Sequence, residues 1–327
     1  MLSSLAFTAP LALAAALLDI SVGYPDALFR RVRHPVVWMG ALLGGLEARL
    51  NRPSEPFAAR RAAGVFTFVF YLCAVGFVAA LIQTVAPRGP LGFAALALVA
   101  SSLPARQSLD RHVRAVASAL ERGGLQAGRQ AVARIVGRNP ETLDEAGIAR
   151  AAIESLAENY SDGVVAPLFW LALGGFVGGA LYKAINTADS MIGHRDERYS
   201  AFGWAAARLD DLVNLPASRL TALWLVIAAA SGRDASARDA ARAVWRDAGG
   251  HRSPNAGYPE AAMAGALGLK LAGPRVYGRQ RVEDAFMGDG RSVATAQDIR
   301  RALGLYRRAS AIELAALAGF ALLAQVL

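Results

Sequence analysis

Acidic and amide side chains recur at helical spacing beside apolar stretches of this sequence. Glu154 and Glu158 are i, i+4 neighbours, which puts both carboxylates on one face of a helix. Two like charges so placed repel unless a cation or a donor lies between them. The pair therefore predicts a site for Mg²⁺ or a polyamine-like cation, with a solvated helix face as the alternative.

Two further clusters stand at the ends of apolar blocks. In a continued helix Asn186 and Asp189 share a face, and they form a candidate pair of metal ligands. Interhelical hydrogen bonding is the alternative for this pair. Asp210 and Asn214 are also i, i+4 neighbours, next to Asp211. Intramembrane prenyltransferases place comparable acidic motifs at helix ends to hold magnesium–pyrophosphate, and N-terminal capping is the alternative.

A fourth cluster is a polar segment, residues 251–260, that combines two prolines and a glycine with several chemically active side chains. Such a loop suits the binding of a phosphate or a carboxylate near a cation. A loop without a ligand is the alternative, and Pro259-Glu260 can also start the next helix. The active side chains are His251, Arg252, Ser253, Asn255 and Glu260.

Long uncharged or nearly uncharged blocks separate these clusters and predict helices embedded in a membrane. A spanning helix needs about 20 apolar residues. Prolines and paired glycines in one block, and Arg219 inside another, favour broken or re-entrant helices there. We predict four to six membrane-embedded segments in a single domain, 1–327. The segments are 1–18, 62–87, 89–105, 163–182, 212–232 (the block that can be re-entrant) and 309–327.

The charged segments between these blocks also read as helical. Apolar residues recur at helical spacing through 106–162, and 233–250 is rich in alanine and arginine. No alternating strand pattern is present. The sequence therefore predicts an all-α, polytopic integral membrane protein with helical cytoplasmic loops.

The overall composition agrees with a membrane protein and excludes several other classes. Hydrophobic residues make up 54% of the 327 residues and charged residues only 19%, which excludes disorder. A single cysteine, Cys73, excludes a disulfide scaffold and a cysteine-ligated zinc site. The net charge of +9 comes from arginines that flank apolar blocks. That placement indicates positive-inside topology, and we predict no nucleic-acid partner.

The order of the clusters resembles the adenosylcobinamide-phosphate synthases of cobalamin biosynthesis, the CbiB/CobD type. The resemblance covers roughly residues 10–310, and several motifs in the right order carry it. The motifs are His34-Pro35-Val36-Val37-Trp38-Met39-Gly40, Ile153-Glu154-Ser155 through Asn159, Asp162-Gly163-Val164-Val165-Ala166-Pro167, Asn186-Thr187-x-Asp189-Ser190-Met191-x-Gly193, Phe202-Gly203-Trp204, Arg208-Leu209-Asp210-Asp211-x-x-Asn214, Ser253-Pro254-Asn255-Ala256-Gly257 and Pro259-Glu260.

The resemblance implies an acid–amine ligase of the bacterial inner membrane. It would join the carboxylate of adenosylcobyric acid to aminopropanol phosphate, or a related amino alcohol, with ATP and Mg²⁺ as cofactors. An acyl phosphate is the economical activated form, because a carboxylate and an amine do not condense in water unaided. No Walker-type loop with a lysine is present in the sequence, so nucleotide binding is implied by the resemblance alone.

The resemblance also implies roles for the residues of the four clusters. His251, Glu260 and Asp210 are the candidate catalytic groups, with His251 or Glu260 taking a proton from the ammonium of the amine. Oxygen ligands suit Mg²⁺. The candidate metal ligands are Glu154, Asp162, Asp189 and Asp211. The candidate cofactor-binding residues are Asn159, Asn186, Arg208, Arg252, Ser253 and Asn255.

The sequence also gives expectations for the membrane topology and for the binding partners. If all six blocks cross the membrane, segment 182–211 lies outside, whereas ATP is cytoplasmic. Re-entrant blocks 163–182 and 212–232 would bring their polar ends to a cytoplasm-facing cavity. Partners would be the corrinoid and amino-alcohol phosphate, the lipid bilayer and other membrane-bound enzymes of the pathway. The alternatives are a Mg²⁺-dependent intramembrane prenyl or lipid-diphosphate transferase and a non-catalytic membrane sensor of the same superfamily.

Overall fold

The structure is a computed structural model that describes residues 4–137, 139–232, 234–273, 275–277, 280–282 and 284–326. Helices dominate that part of the chain, which confirms the predicted all-α class. In chain order the α-helices are α1 (Leu5–Ser21), α2 (Asp26–Val32), α3 (Pro35–Leu50), α4 (Phe57–Val85), α5 (Pro90–Ala100), α6 (Arg106–Val132), α7 (Glu145–Tyr160), α8 (Ala166–Ile192), α9 (Trp204–Val213), α10 (Leu215–Ala230), α11 (Ala237–Asp247), α12 (Gly257–Leu267) and α13 (Ala296–Leu323).

Short strands follow α12, and they are a correction to the sequence-based expectation of no strand. β1 (Leu271–Ala272) pairs antiparallel with β4 (Phe286–Met287), and β2 (Arg275–Tyr277) pairs antiparallel with β3 (Gln280–Val282). Strands of two or three residues are too short to show the alternating pattern that a sequence analysis detects.

The chain forms two compact units. The first comprises Met1–Ala105, Ala166–Asn214 and Leu317–Leu327, and the second comprises Arg106–Val165 and Leu215–Ala316. In the first unit α1, α3, α4, α5 and α9 all pack against α8. In the second unit α7, α10 and α11 pack against α12. The prediction that the segments form one membrane-embedded domain stays a prediction.

Helix α12 is the buried centre of the second unit because its side chains are small. All its residues except Tyr258 are buried, and alanine and glycine predominate. A Cβ atom on Gly265 would lie 2.3 Å from the backbone oxygen of Asp239, so α11 approaches this helix backbone to backbone. The helix begins at Gly257, inside the predicted polar segment 251–260, and Glu260 lies in its first turn.

The apolar helices fit a membrane protein. Among the described residues, Phe57–Val85 and the helical run Glu145–Ile192 are long and apolar enough to cross a bilayer, and α9 with α10 can count as a third, broken crossing. Helices α1 and α5 are apolar but shorter. With 11 residues, α5 is shorter than the predicted segment 89–105. It rises about 16 Å, well short of the hydrocarbon core of about 30 Å.

Two irregularities interrupt the helical run that carries the Glu154 and Asn186 clusters. Residues Ser161–Val165 form a π-helical turn, a feature that is frequent at functional sites. Gly175 has φ of 64° inside α8, so the helix is kinked at this position. Only glycine adopts that left-handed conformation at little cost. The irregular position belongs to the first glycine pair of segment 163–182, Gly174-Gly175.

Candidate functional site

The buried carboxyl group of Asp210 occupies the middle of the first candidate region, in the first unit. Its Oδ2 atom accepts a hydrogen bond from Asn214 Nδ2 at 3.0 Å, and the Tyr182 hydroxyl donates to Asn214 Oδ1 at 2.8 Å. Asn186 on α8 lies beside the same carboxyl group. Within the described residues, Asp210 Oδ1 is buried and has no hydrogen-bond partner. One carboxylate oxygen of Asp210 is thus held in place by Asn214, and the other is buried beside Asn186 and the α8 acids.

Two more acids stand around Asp210. Asp189 on α8 and Asp211 on α9 both lie close enough to Asp210 to repel its negative charge. We call Asp189, Asp210 and Asp211 the carboxyl cluster. Arg208 offsets part of this charge, since its Nη1 atom lies 3.6 Å from Asp211 Oδ2. The i, i+3 spacing that the sequence suggested for Asn186 and Asp189 therefore brings them to the same region as the Asp210 motif.

The loop after α8, residues 193–203, lies next to the carboxyl cluster. His194 interacts electrostatically with Asp189, and Arg195 interacts with Asp211. The loop thus adds an imidazole and a guanidinium beside the acids, and a guanidinium next to carboxylates is an arrangement that suits a phosphate bound with a cation. Sequence analysis missed both residues because the loop follows the helix without any motif of its own.

An ion pair between the buried Glu47 and the exposed Arg198 holds this loop. Arg198 donates to both carboxylate oxygens of Glu47, at 3.0 Å each, and Asn51 bridges Glu47 and the Arg198 carbonyl oxygen. The turn that follows is packed without room for side chains: a Cβ on Gly64 would lie 1.9 Å from the Phe202 oxygen. Likewise, a Cβ on Gly203 would lie 1.6 Å from the Ile192 oxygen. Glu47, a lone acid in the apolar α3, was the available sequence signal for this clamp.

The second candidate region, in the second unit, is the polar loop, residues 251–256. Arg219 on α10 holds this loop through hydrogen bonds: its Nη1 atom donates to the Pro254 backbone oxygen and to Asn255 Oδ1, each at 3.0 Å. The guanidinium also lies 3.9 Å from the centre of the Tyr258 ring. Ser218 donates to Asn255 Oδ1 at 3.2 Å. The cation inside the predicted apolar block 212–232 therefore serves to position this loop.

Within the same region, His251 and Glu260 face each other. The His251 Nε2 atom lies 3.9 Å from Glu260 Oε2, and both side chains are almost fully buried. The His251 Nδ1 atom accepts a hydrogen bond from the Ser253 N–H at 3.0 Å, which leaves Nε2 directed at the carboxylate. The Ser253 hydroxyl in turn accepts from the backbone N–H groups of Asn255 and Ala256. Arg252 is exposed at the surface of this loop.

The Glu154 cluster is partly used by the fold itself. Glu154 Oε1 accepts a hydrogen bond from the backbone N–H of Ala272 at 2.9 Å, which ties α7 to β1. Asn159 donates to the Ser155 carbonyl oxygen at 2.9 Å, and Asp162 lies in the π-helical turn. In the described residues no group of three or more His, Cys, Asp or Glu side chains is arranged to hold a metal ion. Of the four predicted metal ligands, Glu154 and Asp162 belong to the second unit and Asp189 and Asp211 to the first.

Comparison with known proteins decides the family. The family model described as CobD/Cbib protein matches residues 12–306. The chain belongs to the CobD/Cbib family. Relatives named cobalamin biosynthesis protein CobD agree: the protein of Sinorhizobium sp is 50% identical over 311 residues, covering 94% of this chain and 95% of the relative. The protein of Rhodobacter capsulatus is 48% identical over 295 residues, covering 90% and 91%.

Membership of the CobD/Cbib family confirms the resemblance drawn from the motifs and assigns the chain to cobalamin biosynthesis. No solved structure matches the chain. The family motifs fall on both candidate regions: the Asn186 and Asp210 motifs carry the carboxyl cluster, and the Ser253–Glu260 motif covers the end of the polar loop and the first turn of α12.

Proposed function

We propose that this protein is an ATP-dependent ligase that joins adenosylcobyric acid to aminopropanol phosphate, or a close relative of that amine, to give adenosylcobinamide phosphate. The observation that carries the proposal is the match of nearly the whole chain to CobD proteins, together with family motifs that form two polar regions. Apolar helices pack next to polar and acidic side chains of this kind mainly where a substrate or an ion must bind.

The carboxyl cluster fits Mg²⁺ that arrives with a nucleotide better than a metal held by protein alone. Mg²⁺ usually binds one or two carboxylates and completes its shell with water and substrate phosphates. The unbonded Asp210 Oδ1 and the neighbouring Asp189 carboxylate are oxygen donors of that type. Bound there, the ion would neutralise charge on the ATP phosphates. Arg195 and Arg208 then assist by offsetting the remaining phosphate charge.

The polar loop suits the amine side of the reaction. The ammonium of aminopropanol phosphate must lose a proton before its nitrogen attacks a carbonyl carbon. Glu260 is a candidate acceptor for that proton, and the neutral His251, whose Nδ1 accepts the Ser253 N–H, would face the Glu260 carboxylate with its Nε2 hydrogen and orient it. Arg252, Ser253 and Asn255 are the candidate ligands for the phosphate of the amine or for amide groups of the corrin rim.

The chemical balance requires one activation step. Transfer of the γ-phosphoryl group of ATP to the corrinoid carboxylate gives an acyl phosphate and ADP, and attack by the neutral amine releases phosphate and forms the amide. Protein groups contribute positioning and charge stabilisation more than covalent chemistry to such a transfer. We place the reaction on the cytoplasmic side of the bacterial inner membrane, where ATP is present. Other membrane-bound enzymes of the pathway would then be neighbours that supply or receive corrinoids.

The deciding experiment uses the full chain in detergent with adenosylcobyric acid, Mg-ATP and aminopropanol phosphate. Mass spectrometry should detect the amide product, with ADP formed in equal amount. Product with AMP would replace the acyl phosphate by an adenylate and keep the ligase. If folded protein forms no amide with any of several amino alcohols, the ligase proposal is wrong. Activity with a polyprenyl diphosphate instead would favour the lipid-diphosphate transferase, and no activity with either would favour the sensor.

A further inference from the structure

A lysine lies deep in the first unit, on the helix that carries the Asn186 motif. The chain has 35 basic residues, of which only Lys183 and Lys270 are lysines. The Tyr71 hydroxyl donates to the Ala184 backbone oxygen at 3.3 Å. Because Tyr71 stands midway along α4, which is long and apolar enough to cross a bilayer, this contact places Lys183 well inside the membrane. A cation at that depth is costly, so such residues are rare and tend to bind a substrate or an ion.

Lys183 shares a helix face with polar residues that lead to the carboxyl cluster. Asn186 follows it by three residues and Ser190 by seven, so the three side chains project from one side of α8. Three residues of a helix rise about 4.5 Å, and Asn186 lies beside the Asp210 carboxyl group. The four-carbon stem of lysine is flexible and spans such a distance. The Lys183 ammonium can therefore reach a ligand that is bound at the carboxyl cluster.

Hydrogen bonds of its neighbours fix the part of α8 that carries Lys183. The Tyr182 hydroxyl donates to Asn214 Oδ1 at 2.8 Å, and Asn214 Nδ2 donates to Asp210 Oδ2 at 3.0 Å. The charge of Lys183 also acts on His34, the N-cap of α3. The lysine itself is half-buried rather than sealed in the core. Its position is thus set by the same chain of hydrogen bonds that holds Asp210.

Basic groups stand on both sides of the carboxyl cluster along the chain. Lys183 precedes Asp189 by six residues, and Arg195, which acts on Asp211, follows Asp189 by six. A linear polyphosphate with its Mg²⁺ at the cluster would extend toward both groups. The loop that carries Arg195 is exposed to solvent, whereas Lys183 lies deeper. The phosphoryl group that is transferred belongs on the deeper side, because water competes less there as the acceptor.

We propose that Lys183 binds the terminal phosphate of the nucleotide whose Mg²⁺ is held at the carboxyl cluster. Lysine is a common point-charge ligand for phosphates in nucleotide sites, and this sequence has no Walker-type loop to supply one. The inference rests on the proposed ATP-dependent ligase and adds the direction of the nucleotide. Its terminal phosphate points toward the membrane interior, and its nucleoside lies toward the loop 193–203.

The test is calorimetric titration of the full chain in detergent with Mg-AMP-PNP and with Mg-ADP, without turnover. Both ligands carry the adenosine and the metal, but only AMP-PNP carries the third phosphate. Lys183→Gln should lower the affinity for Mg-AMP-PNP by about tenfold or more and leave the affinity for Mg-ADP nearly unchanged. A lysine with a structural role alone would weaken the binding of both nucleotides equally.

A matched control is the other lysine of the chain. Lys270 belongs to the second unit, where its Nζ atom lies 4.3 Å from the centre of the Phe286 ring, so Lys270→Gln should bind both nucleotides as the wild type does. Lys183→Met, whose apolar side chain suits the depth, replaces Lys183→Gln if the latter elutes as an aggregate.

Three results would overturn the role of Lys183 and leave the ligase proposal standing. They are a folded Lys183 variant that binds Mg-AMP-PNP like the wild type, an equal loss of both nucleotides, and a failure of both Lys183 variants to fold. A wild type that binds no nucleotide would also overturn this inference. Amide formation by the wild type then decides separately whether the ligase proposal holds.

Discussion

Glu313 and Asp298 in the second unit and Asp210 in the first are buried acids with different kinds of partner. In the second unit Glu313 pairs with Arg106 at 2.6 Å, and Asp298 pairs with Arg291 and Arg301. In the first unit Asp210 has an amide partner, Asn214, and two other acids as neighbours. Cationic partners satisfy a buried carboxylate permanently, whereas amides leave its charge uncompensated. The comparison separates acids that hold the fold from acids that await a cation or a proton.

The physical basis of this difference is the cost of burying charge. A buried ion pair that loses one partner leaves a charge without compensation, and the fold suffers. A buried carboxylate that lacks a cationic partner and lies beside other acids already destabilises the fold. Its replacement by an amide should therefore leave the fold intact and weaken only the binding of a ligand at that position. Each half of the comparison can therefore be tested by substitution.

The largest expected effect is on stability, from Arg106→Met. The change leaves Glu313 buried without its cation, next to Tyr160 and Tyr306, and should lower the free energy of unfolding by about 3–5 kcal/mol. Thermal melting in detergent measures it. Arg242→Met is the control, because its pair with Asp239 is exposed and should matter little. Equal melting temperatures for the two variants would show that the buried pair has no structural role.

The second effect is on turnover, from Asp210→Asn. The substitution keeps the size and removes the charge of the carboxyl cluster's buried member, so amide formation should fall by about 10²–10³-fold. Melting should stay close to that of the wild type. Asp239→Asn, at an exposed acid of α11, should keep full turnover. A much lower melting temperature of the variant would show that Asp210 stabilises the fold. Normal turnover would show that the carboxyl cluster takes no part in the reaction.

A smaller effect should follow from Arg219→Lys in the polar loop. Lysine keeps the charge but loses the planar group that reaches Pro254, Asn255 and the Tyr258 ring together. We expect about a tenfold rise in KM for the amine with a lesser change in kcat, because the loop is positioned rather than reacting. Arg238→Lys, on the exposed side of α11, is the control. An unchanged KM would contradict the positioning role.

The smallest expected effect is the acid sensitivity contributed by Asp298. Burial alone would raise the pKa of Asp298, but hydrogen bonds from Arg291, Thr295 and Arg301 outweigh it and hold the pKa below its usual value. This contribution to stability is complete above the unfolded-state pKa of about 4 and is lost as the pH falls through the lower folded-state pKa. The melting temperature of Asp298→Asn should therefore fall less between pH 6 and pH 3 than the melting temperature of the wild type. If the melting temperatures of the variant and the wild type change equally with pH, Asp298 does not contribute to the acid sensitivity.

Local pattern predicted the helices but not their partners. The uncharged run 62–87 predicted α4 because a long apolar helix leaves a signal in every one of its residues. The link between Glu154 and Ala272 left no such signal, because it joins residues far apart in sequence through a strand of two residues. The end of the polar loop at Gly257 was also missed, since proline and glycine near a helix start read equally well as a loop.

For the candidate site, too, the sequence predicted neighbours along one helix but not contacts between distant segments. Helical spacing placed Asn186 with Asp189, and Asp210 with Asn214, and both pairs do lie in one region. The identity of the supporting residues was not predictable, because Glu47 and Arg198 meet only through tertiary packing. The presence of Arg219 inside an apolar block was a signal, and its four acceptors explain why a cation is kept there.

The glycine contacts around residues 202–203 have a consequence for motion. Gly64 and Gly203 touch neighbouring backbone directly, and Arg198 anchors the same segment, so the backbone there has little room for the φ/ψ changes of a hinge. The loop that brings His194 and Arg195 to the acids is therefore rigid and does not open and close. Slow amide exchange across residues 199–204 would be the mark of that rigidity.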